Sequence, residues 1–257
     1  MPAPVDLAYE RHGLADGPTI VLLGALGADR SMWRPQISGL SDAHDVIAVD
    51  LRGHGESPDS VGTSTVAAIA DDVAALLRRL DVGAAHLVGL SLGGATAQEL
   101  AITHPHLART LTLLCTSARF GDPEPWVDRA QAVRIDGTAS VAASVVERWF
   151  TTAFAQRNPA IVERMRAMVA ATSDEGYAAC CEAIAGFDAR ADLGSISAPT
   201  LVIGGADDQA VPLDHQQVLA DGIPGARLQI LDYAAHLASY EQRSVVNTAI
   251  AEHIADH

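Results

Sequence analysis

One stretch of the chain, Gly89 to Gly93, has a serine between two glycines at the junction of two predicted elements. The residues before it, His86 to Val88, form an apolar run typical of a buried strand, and Gly94 to Ala101 has the composition of a helix start. A strand that turns directly into a helix through Gly-x-Ser-x-Gly holds its serine in a strained turn with the hydroxyl exposed. The glycines are required because a Cβ at either position would crowd the turn. Ser91 is therefore a candidate nucleophile, although the pentapeptide alone also fits an ordinary helix-capping serine.

Short apolar runs that alternate with helical patterns organise the first and last parts of the chain. Continuous apolar runs bounded by turn residues are typical of strands buried on both faces. Between two of these runs, Thr65 can cap a helix whose apolar positions from Val66 to Leu80 follow the i, i+3, i+4, i+7 spacing. Alternating strands and helices predict a parallel α/β sheet. The predicted strands are Val5–Arg11 at an edge, Thr19–Leu23, Asp45–Asp50, His86–Val88, Leu111–Cys115, Pro199–Gly205 and Leu228–Leu231.

The middle of the chain has a different pattern, because strand signals disappear between Arg119 and Asp192. Four amphipathic helices are predicted there, at Trp126–Val133, Ala139–Phe150, Ala160–Ala170 and Glu175–Phe187. We interpret this segment as a helical cap inserted into a core; the alternative is a set of extra helices that pack on the sheet. The predicted organisation is core for residues 1–118, cap for residues 119–192 and core again for residues 193–257.

Polar and small residues follow several of the predicted strands. In parallel sheets, ligands bind beyond the carboxyl ends of the strands. Leu26, Arg52, Ser91 and Ser117 all lie just past strand ends, so we expect them to share one crevice.

An acid and a histidine follow the last two predicted strands. Asp207 and Asp208 lie after the strand that ends near Gly205, and His236 lies after the final strand. A serine becomes an effective nucleophile when a base takes its proton, and an acid can hold that base in the required tautomer. Ser91, one of the two aspartates and His236 therefore form a candidate catalytic triad.

Composition excludes several classes of function. The formal net charge is −15, which argues against binding to nucleic acid or to anionic membranes. All 17 basic residues other than histidine are arginine, so a Walker A loop, a Schiff-base lysine and a pyridoxal enzyme are all excluded. The ten histidines form no H-E-x-x-H pattern and no C-x-x-C pair occurs, so neither a metal nor a cofactor is expected. The loop Gly24–Gly27 lacks the G-x-G-x-x-G spacing of a dinucleotide fold.

Targeting signals are also missing from the sequence. No apolar run is long enough to span a bilayer, and residues 1–6 have neither the basic start nor the apolar region of a signal peptide. The three cysteines, an odd number with two adjacent, do not form a disulfide framework. We therefore expect a cytoplasmic protein.

These motifs resemble the α/β-hydrolase superfamily and, more narrowly, the 3-oxoadipate enol-lactonases. Three of the matching stretches recur widely among α/β hydrolases, namely Met32–Gln36, Asp50–Ser57 and Gly89–Gly94. The stretches Glu147–Thr151 and Gly176–Ile184 are narrower and carry most of the resemblance to the lactonases. The resemblance covers nearly the whole chain. It implies an α/β-hydrolase fold, with a mostly parallel central sheet flanked by helices and a helical cap insertion.

The resemblance also implies a choice between the two aspartates. In α/β hydrolases the triad acid lies in Gly-x-x-Asp-x-x-x-Pro, and here Gly205 and Pro212 frame Asp208. Asp207 is then expected to face solvent. The implied roles are nucleophile for Ser91, base for His236 and orienting acid for Asp208.

An oxyanion hole is implied by the same resemblance, from the backbone N–H groups of Leu26 and Leu92. The loop that holds Leu26 departs from the family, in which His-Gly or Asn-Ser usually precedes Leu-Gly. Here the dipeptide is Gly24-Ala25, so a side chain that could brace the loop is missing.

The implied substrate is an intramolecular ester, 3-oxoadipate enol-lactone of the β-ketoadipate pathway for aromatic compounds. It bears a free carboxylate, so an acidic protein requires a local arginine to bind it. Arg119 and Arg134 are the candidates, with Trp126 and Trp149 as apolar walls. Alternatives are a general carboxylesterase or carbon–carbon bond hydrolase, a more distant cofactor-free oxygenase or perhydrolase, and a non-catalytic small-molecule receptor. The oligomeric state stays open.

Overall fold

A computed structural model describes residues 4–59 and 64–257. In this part of the chain, seven strands form one sheet in the order β1-β3-β2-β4-β5-β6-β7. Only the edge pair β1–β3 is antiparallel among these described strands. The strands are β1 (Tyr9–Gly13), β2 (Thr19–Leu23), β3 (Asp45–Val49), β4 (Ala85–Leu90), β5 (Ala108–Leu114), β6 (Thr200–Gly205) and β7 (Arg227–Leu231).

The middle of the sheet is the centre of the hydrophobic core. Every residue of β3, β4 and β6 is buried, which agrees with the continuous apolar runs in their sequences. The register aligns Leu23 at the end of β2 with Gly89 of β4. The loop after β2 and the turn after β4 are therefore neighbours at the carboxyl edge of the sheet.

Eleven α-helices surround this sheet within the described residues. The helix predicted after Thr65 is present, and the Thr65 side chain accepts a hydrogen bond from the Ala68 N–H. The helices are α1 (Arg34–Leu40), α2 (Val66–Arg79), α3 (Leu92–Thr103), α4 (Glu124–Asp136), α5 (Ala139–Glu147), α6 (Thr152–Arg157), α7 (Pro159–Ala170), α8 (Asp174–Ala185), α9 (Leu213–Gly222), α10 (Ala238–Glu241) and α11 (Arg243–Ala255).

The segment between β5 and β6 is helical, with two differences from the predicted pattern. Helix α5 ends at Glu147 instead of Phe150, and Trp149 and Phe150 turn inward and are buried. The short helix α6, which no pattern predicted, follows with Thr151 as its cap, because the Thr151 hydroxyl accepts from the Phe154 N–H at 3.2 Å.

The helical segment after β7 is divided into α10 and α11. Glu241 at the end of α10 accepts hydrogen bonds from the Thr151 N–H at 2.9 Å and the Ala235 N–H at 2.6 Å. These contacts hold α10 against the segment that follows β7, and Gln242 leaves the helical conformation before α11 begins.

No helix of the described residues has both the length and the apolar character required to cross a membrane. All three cysteines are buried free thiols.

Candidate active site

Ser91 lies in a strained turn between β4 and α3. Its backbone dihedrals are φ 56° and ψ −116°, a conformation that L-residues rarely adopt. A Cβ added to Gly89 would lie 2.3 Å from the Gly93 carbonyl oxygen, so this tight turn requires glycine. The Ser91 side chain makes no capping hydrogen bond to α3, which removes the alternative of an ordinary cap. Within the residues that the structure describes, its hydroxyl makes no hydrogen bond and is available to a ligand.

Asp208 and His236 form a buried pair beyond the ends of β6 and β7. The His236 Nδ1–H donates to Asp208 Oδ2 at 2.9 Å, and both side chains are almost fully buried. The other carboxylate oxygen of Asp208 accepts from the backbone N–H groups of Ala210 at 2.8 Å and Val211 at 3.0 Å. Because Nδ1 carries the proton, Nε2 of His236 is the nitrogen left to act as a base. Asp207, in contrast, is exposed.

One cavity of about 500 Å³, including its open mouth, contains Ser91 and His236. Residues after β2, β4, β6 and β7 form its floor, and residues from the helical segment form its roof. The lining residues are Ala25, Leu26, Ser91, Phe120, Trp126, Arg129, Val145, Arg148, Trp149, Tyr177, Ala210, Val211 and His236. The structure therefore brings Ser91, His236, Leu26 and both predicted tryptophans together.

The loop after β2 lies directly against the turn that holds Ser91. The Gly93 N–H donates to the Gly24 carbonyl at 2.9 Å. Neither the Leu26 nor the Leu92 N–H donates a hydrogen bond within residues 4–59 and 64–257. The Leu26 N–H is thus available to a negatively charged oxygen in the cavity, and the Leu92 N–H follows Ser91 at the start of α3.

The two arginines predicted to bind the substrate lie outside this cavity. Arg134 forms an ion pair with Glu175 at 2.9 Å on the surface between α4 and α8. Arg119 lies 3.5 Å from Asp122 and lines a separate surface cleft. Both arginines were predicted from their place near the start of the helical segment, and that place in the sequence does not determine the direction of a side chain.

Arg129 and Arg148 line the cavity in their place. Arg129 lies one helical turn after Trp126 on α4, with its guanidinium 4.7 Å from the ring centroid. Arg134 is five residues further along the same helix, which rotates it to a different face. Arg148 directly precedes Trp149 in the sequence. Because both tryptophans were predicted to line the site, the arginines nearest to them in sequence could have been predicted with them.

Arg129 and Arg148 have no ion-pair partner among the residues that the structure describes. Burial lowers the pKa of Arg148, and the charge of Arg129 lowers it further. Tyr177, at the same cavity, is fully buried, and its hydroxyl finds no hydrogen-bond partner in the described residues. Burial raises the pKa of Tyr177 to about 12, so the hydroxyl stays protonated. The cavity thus has hydrogen-bond donors and positive charge without a matching carboxylate, which suits an anionic ligand.

The described residues include no group of three or more His, Cys, Asp or Glu side chains placed to hold a metal ion.

Comparisons with known proteins agree with this geometry. The family model of the α/β-hydrolase fold matches residues 18–242. The chain is 39% identical to 3-oxoadipate enol-lactonase 2 of Acinetobacter baylyi, over 96% of this chain and 92% of the relative. Among solved structures, the enol-lactonase from Burkholderia xenovorans has a TM-score of 0.95 at 36% identity, covering 98% of this chain and 99% of that one. A malate-bound thermophilic esterase from Thermogutta terrifontis has a TM-score of 0.92 at 33% identity, covering 98% and 94%. The chain belongs to the α/β-hydrolase family and, within it, is similar to the 3-oxoadipate enol-lactonases.

Proposed function

We propose that this hydrolase opens 3-oxoadipate enol-lactone to 3-oxoadipate through an acyl-enzyme at Ser91, in the cytoplasmic catabolism of aromatic compounds. The observation that carries the proposal is the position of Arg129 and Arg148 in the cavity that contains Ser91, where neither has an ion-pair partner among the described residues. A substrate that combines an ester bond with a free carboxylate fits both features. The similarity to enol-lactonases supports this choice of substrate.

In the first half of the proposed reaction, Ser91 Oγ attacks the lactone carbonyl and His236 Nε2 takes the hydroxyl proton. Asp208 stabilises the imidazolium, and the Leu26 and Leu92 N–H groups stabilise the oxyanion, each contributing on the order of 3 kcal/mol. The ring C–O bond then breaks and releases an enolate oxygen, which remains attached to the acyl chain. Because an enolate is less basic than an alkoxide, its departure depends less on the proton held by His236.

In the second half, the proton of His236 first passes to the released enolate, which leaves the imidazole neutral. Water then attacks the acyl carbonyl and His236 Nε2 takes a proton from it. Collapse of the tetrahedral intermediate returns the proton to Ser91 Oγ and releases the product carboxylate. The enol or enolate end becomes the ketone of 3-oxoadipate by gaining a proton at carbon. The net change is the addition of one water to the lactone.

Arg148 is the proposed partner of the carboxylate that the substrate already bears. It is half-buried at the cavity, so its charge acts on the substrate with little screening by solvent. Arg129 and the Tyr177 hydroxyl are further donors at the same cavity, and an arginine with a neutral hydroxyl can bind the two oxygens of one carboxylate.

A general carboxylesterase is the second candidate, favoured by the similarity to the Thermogutta terrifontis esterase. Both candidates use the same nucleophile, base and acid, and they differ in what the cavity prefers as the acyl and leaving groups. A lactonase with an anionic substrate depends on the arginines, whereas an esterase with neutral substrates does not.

The test is turnover of 3-oxoadipate enol-lactone, followed by loss of its ultraviolet absorbance, with a neutral aryl acetate as the comparison substrate. We expect Ser91→Ala to abolish both activities, whereas a small-molecule receptor would retain ligands without turning them over. We expect Arg148→Met to lower kcat/KM for the enol-lactone by about 10- to 100-fold, because a hydrogen bond to a charged group contributes roughly 1.5–3 kcal/mol. The aryl acetate rate should change by less than about 3-fold.

Arg119→Met is the matched control, since Arg119 undergoes the same substitution outside the cavity. It should leave both rates unchanged. Equal losses on the lactone and the aryl acetate in Arg148→Met would contradict the assigned carboxylate contact. A wild-type protein that hydrolyses the aryl acetate and ignores the enol-lactone would favour the esterase.

A further inference from the structure

The loop from Gly24 to Gly27, which holds the proposed oxyanion donor Leu26, contains only glycine, alanine and leucine. It therefore has no polar side chain that could hold its own backbone in place. At its start, the Gly24 carbonyl is held by the Gly93 N–H at 2.9 Å. The anchor at its other end has to come from elsewhere in the chain.

The Thr172 hydroxyl donates to the Gly27 carbonyl at 3.2 Å, and the anchor of the Gly27 N–H is His54, which lies in the loop after β3. Its side chain is completely buried, and its Nε2 accepts a hydrogen bond from the Gly27 N–H at 2.8 Å. Its Nδ1–H donates to the Arg52 carbonyl at 2.9 Å. Since a backbone N–H points at Nε2, the imidazole is neutral and has a single tautomer.

The position of Gly27 leaves little freedom for the loop to compensate if this bond is lost. Gly27 has φ +81°, and an added Cβ would lie 3.0 Å from the Tyr177 ring. The peptide that presents the Leu26 N–H lies between the anchor at Gly24 and the anchor at Gly27. Fixing both ends of so short a segment fixes the direction of the N–H between them.

We propose that His54 is a positioning residue for acyl transfer at Ser91: its neutral Nε2 holds Gly27 and thereby aims the Leu26 N–H at the developing oxyanion. The proposal rests on the proposed hydrolytic function, although not on the identity of the lactone. His54 thus supplies, from outside the loop, a contact that the side chains of Gly24 and Ala25 cannot make.

The surroundings of His54 favour the neutral form that this role requires. Burial disfavours the imidazolium, whereas the Arg52 carbonyl and the carboxylates of Asp50, Asp59 and Asp29 favour it. Burial is the larger effect and lowers the pKa of His54.

Two variants separate positioning from plain stabilisation. His54→Gln keeps an acceptor oxygen near the position of Nε2, within reach of the Gly27 N–H. His54→Asn places its amide near the position of Nδ1, so it can still contact the Arg52 carbonyl but cannot reach Gly27. Thr110→Val serves as a stability control, because it removes a buried hydrogen bond of 2.9 Å to His86, at the end of β4 away from Ser91.

For each variant, kcat and KM are measured with p-nitrophenyl acetate, together with the rate of inactivation by a fluorophosphonate and the urea unfolding midpoint. We expect His54→Asn to lower kcat and the inactivation rate by about 10- to 100-fold, with KM changed by less than about 2-fold, since the lost donor acts on the transition state. His54→Gln should keep kcat within about 3-fold of wild type. Thr110→Val should lower the midpoint and leave kcat unchanged.

Wild-type kcat in His54→Asn, or equal kcat losses in His54→Asn and His54→Gln, would overturn the proposal. A protein that hydrolyses the aryl ester and ignores the enol-lactone would refute only the proposed substrate, and the His54 comparison would still apply. A wild type that neither hydrolyses the ester nor reacts with the fluorophosphonate would overturn both the role of Ser91 and this one.

If His54→Asn does not fold, nitrogen NMR of wild type decides. We expect Nε2 to be unprotonated in the free enzyme and in the phosphonate adduct. A proton on Nε2 in the adduct would overturn the proposal.

Discussion

The contact between Gly93 and the end of β2 allows the most direct structural test of the site. A Cβ added at Gly93 would lie 2.0 Å from the Leu23 carbonyl oxygen and 2.7 Å from the Gly24 oxygen. Real Cβ atoms do not approach other heavy atoms closer than about 3.0 Å, so Gly93→Ala requires the turn and β2 to separate by about 1 Å. Such overpacking costs about 1–3 kcal/mol, and weakening the Gly93–Gly24 hydrogen bond adds about 1 kcal/mol.

The same displacement moves the Ser91 turn away from the loop that contains Leu26. A misplacement of about 1 Å between reacting groups costs roughly 100-fold in rate, so we expect at least that loss in kcat on an aryl acetate. Urea unfolding measures the stability, and the ester assay measures kcat in the folded protein.

Gly83→Ala is the control, because it makes the same chemical change at an exposed glycine with no atom within 4 Å of the added Cβ. We expect it to change stability by less than about 1 kcal/mol and to leave kcat unchanged. If Gly93→Ala and Gly83→Ala have the same stability and the same kcat, the close approach of the turn and β2 does not determine the geometry of the site.

Two further predictions concern ionisable groups. Asp208→Asn should lower kcat on the aryl acetate by about 10⁴-fold while the urea midpoint changes little, because the amide favours the wrong tautomer of His236; a loss below about 10-fold would contradict the assigned role. Burial lowers the pKa of His86 from 6.5 to about 4. Below pH 6.5, His86 therefore binds a proton in the unfolded chain while it stays neutral in the folded protein. Its contribution to the free energy of unfolding should therefore fall by about 3 kcal/mol between pH 6.5 and pH 4. The free energy of unfolding, measured in urea across this pH range, should fall less steeply in the double variant His86→Leu/Thr110→Val, which removes both partners of the buried hydrogen bond. Identical pH slopes in the double variant and the wild type would contradict the prediction.

Parts of the fold were predictable because their signals are local. The strand Thr19–Leu23 was predicted with both ends correct, since a continuous apolar run is bounded there by Gly17-Pro18 and by Gly24. Helix α2 combines a capping threonine with regular apolar spacing, and its N-terminus agrees with the prediction. In both cases short-range sequence and tertiary packing favour the same structure.

Other features depend on contacts that are distant in sequence. The division between α10 and α11 involves Glu241, whose carboxylate binds the Thr151 N–H, 90 residues away in the chain. His54 belongs to a widespread motif, and nothing in the sequence indicates that its Nε2 meets Gly27, 27 residues earlier. The inward rotation of Arg129 and Arg148 likewise follows from how the helices after β5 pack over the sheet.

This contrast separates the chemistry of the site from its specificity. Asp208 and the Ser91 turn are held by backbone hydrogen bonds at the ends of sheet strands, where register leaves little choice of position. Arg148 comes from the helical segment, has no protein counter-ion among the described residues, and depends on packing alone for its direction. Substitutions in the helical segment can therefore change the preferred substrate without disturbing the strand ends. Relatives named enol-lactonase and esterase share this fold, and a fold that hosts several activities is what this separation of strand ends from helical segment predicts.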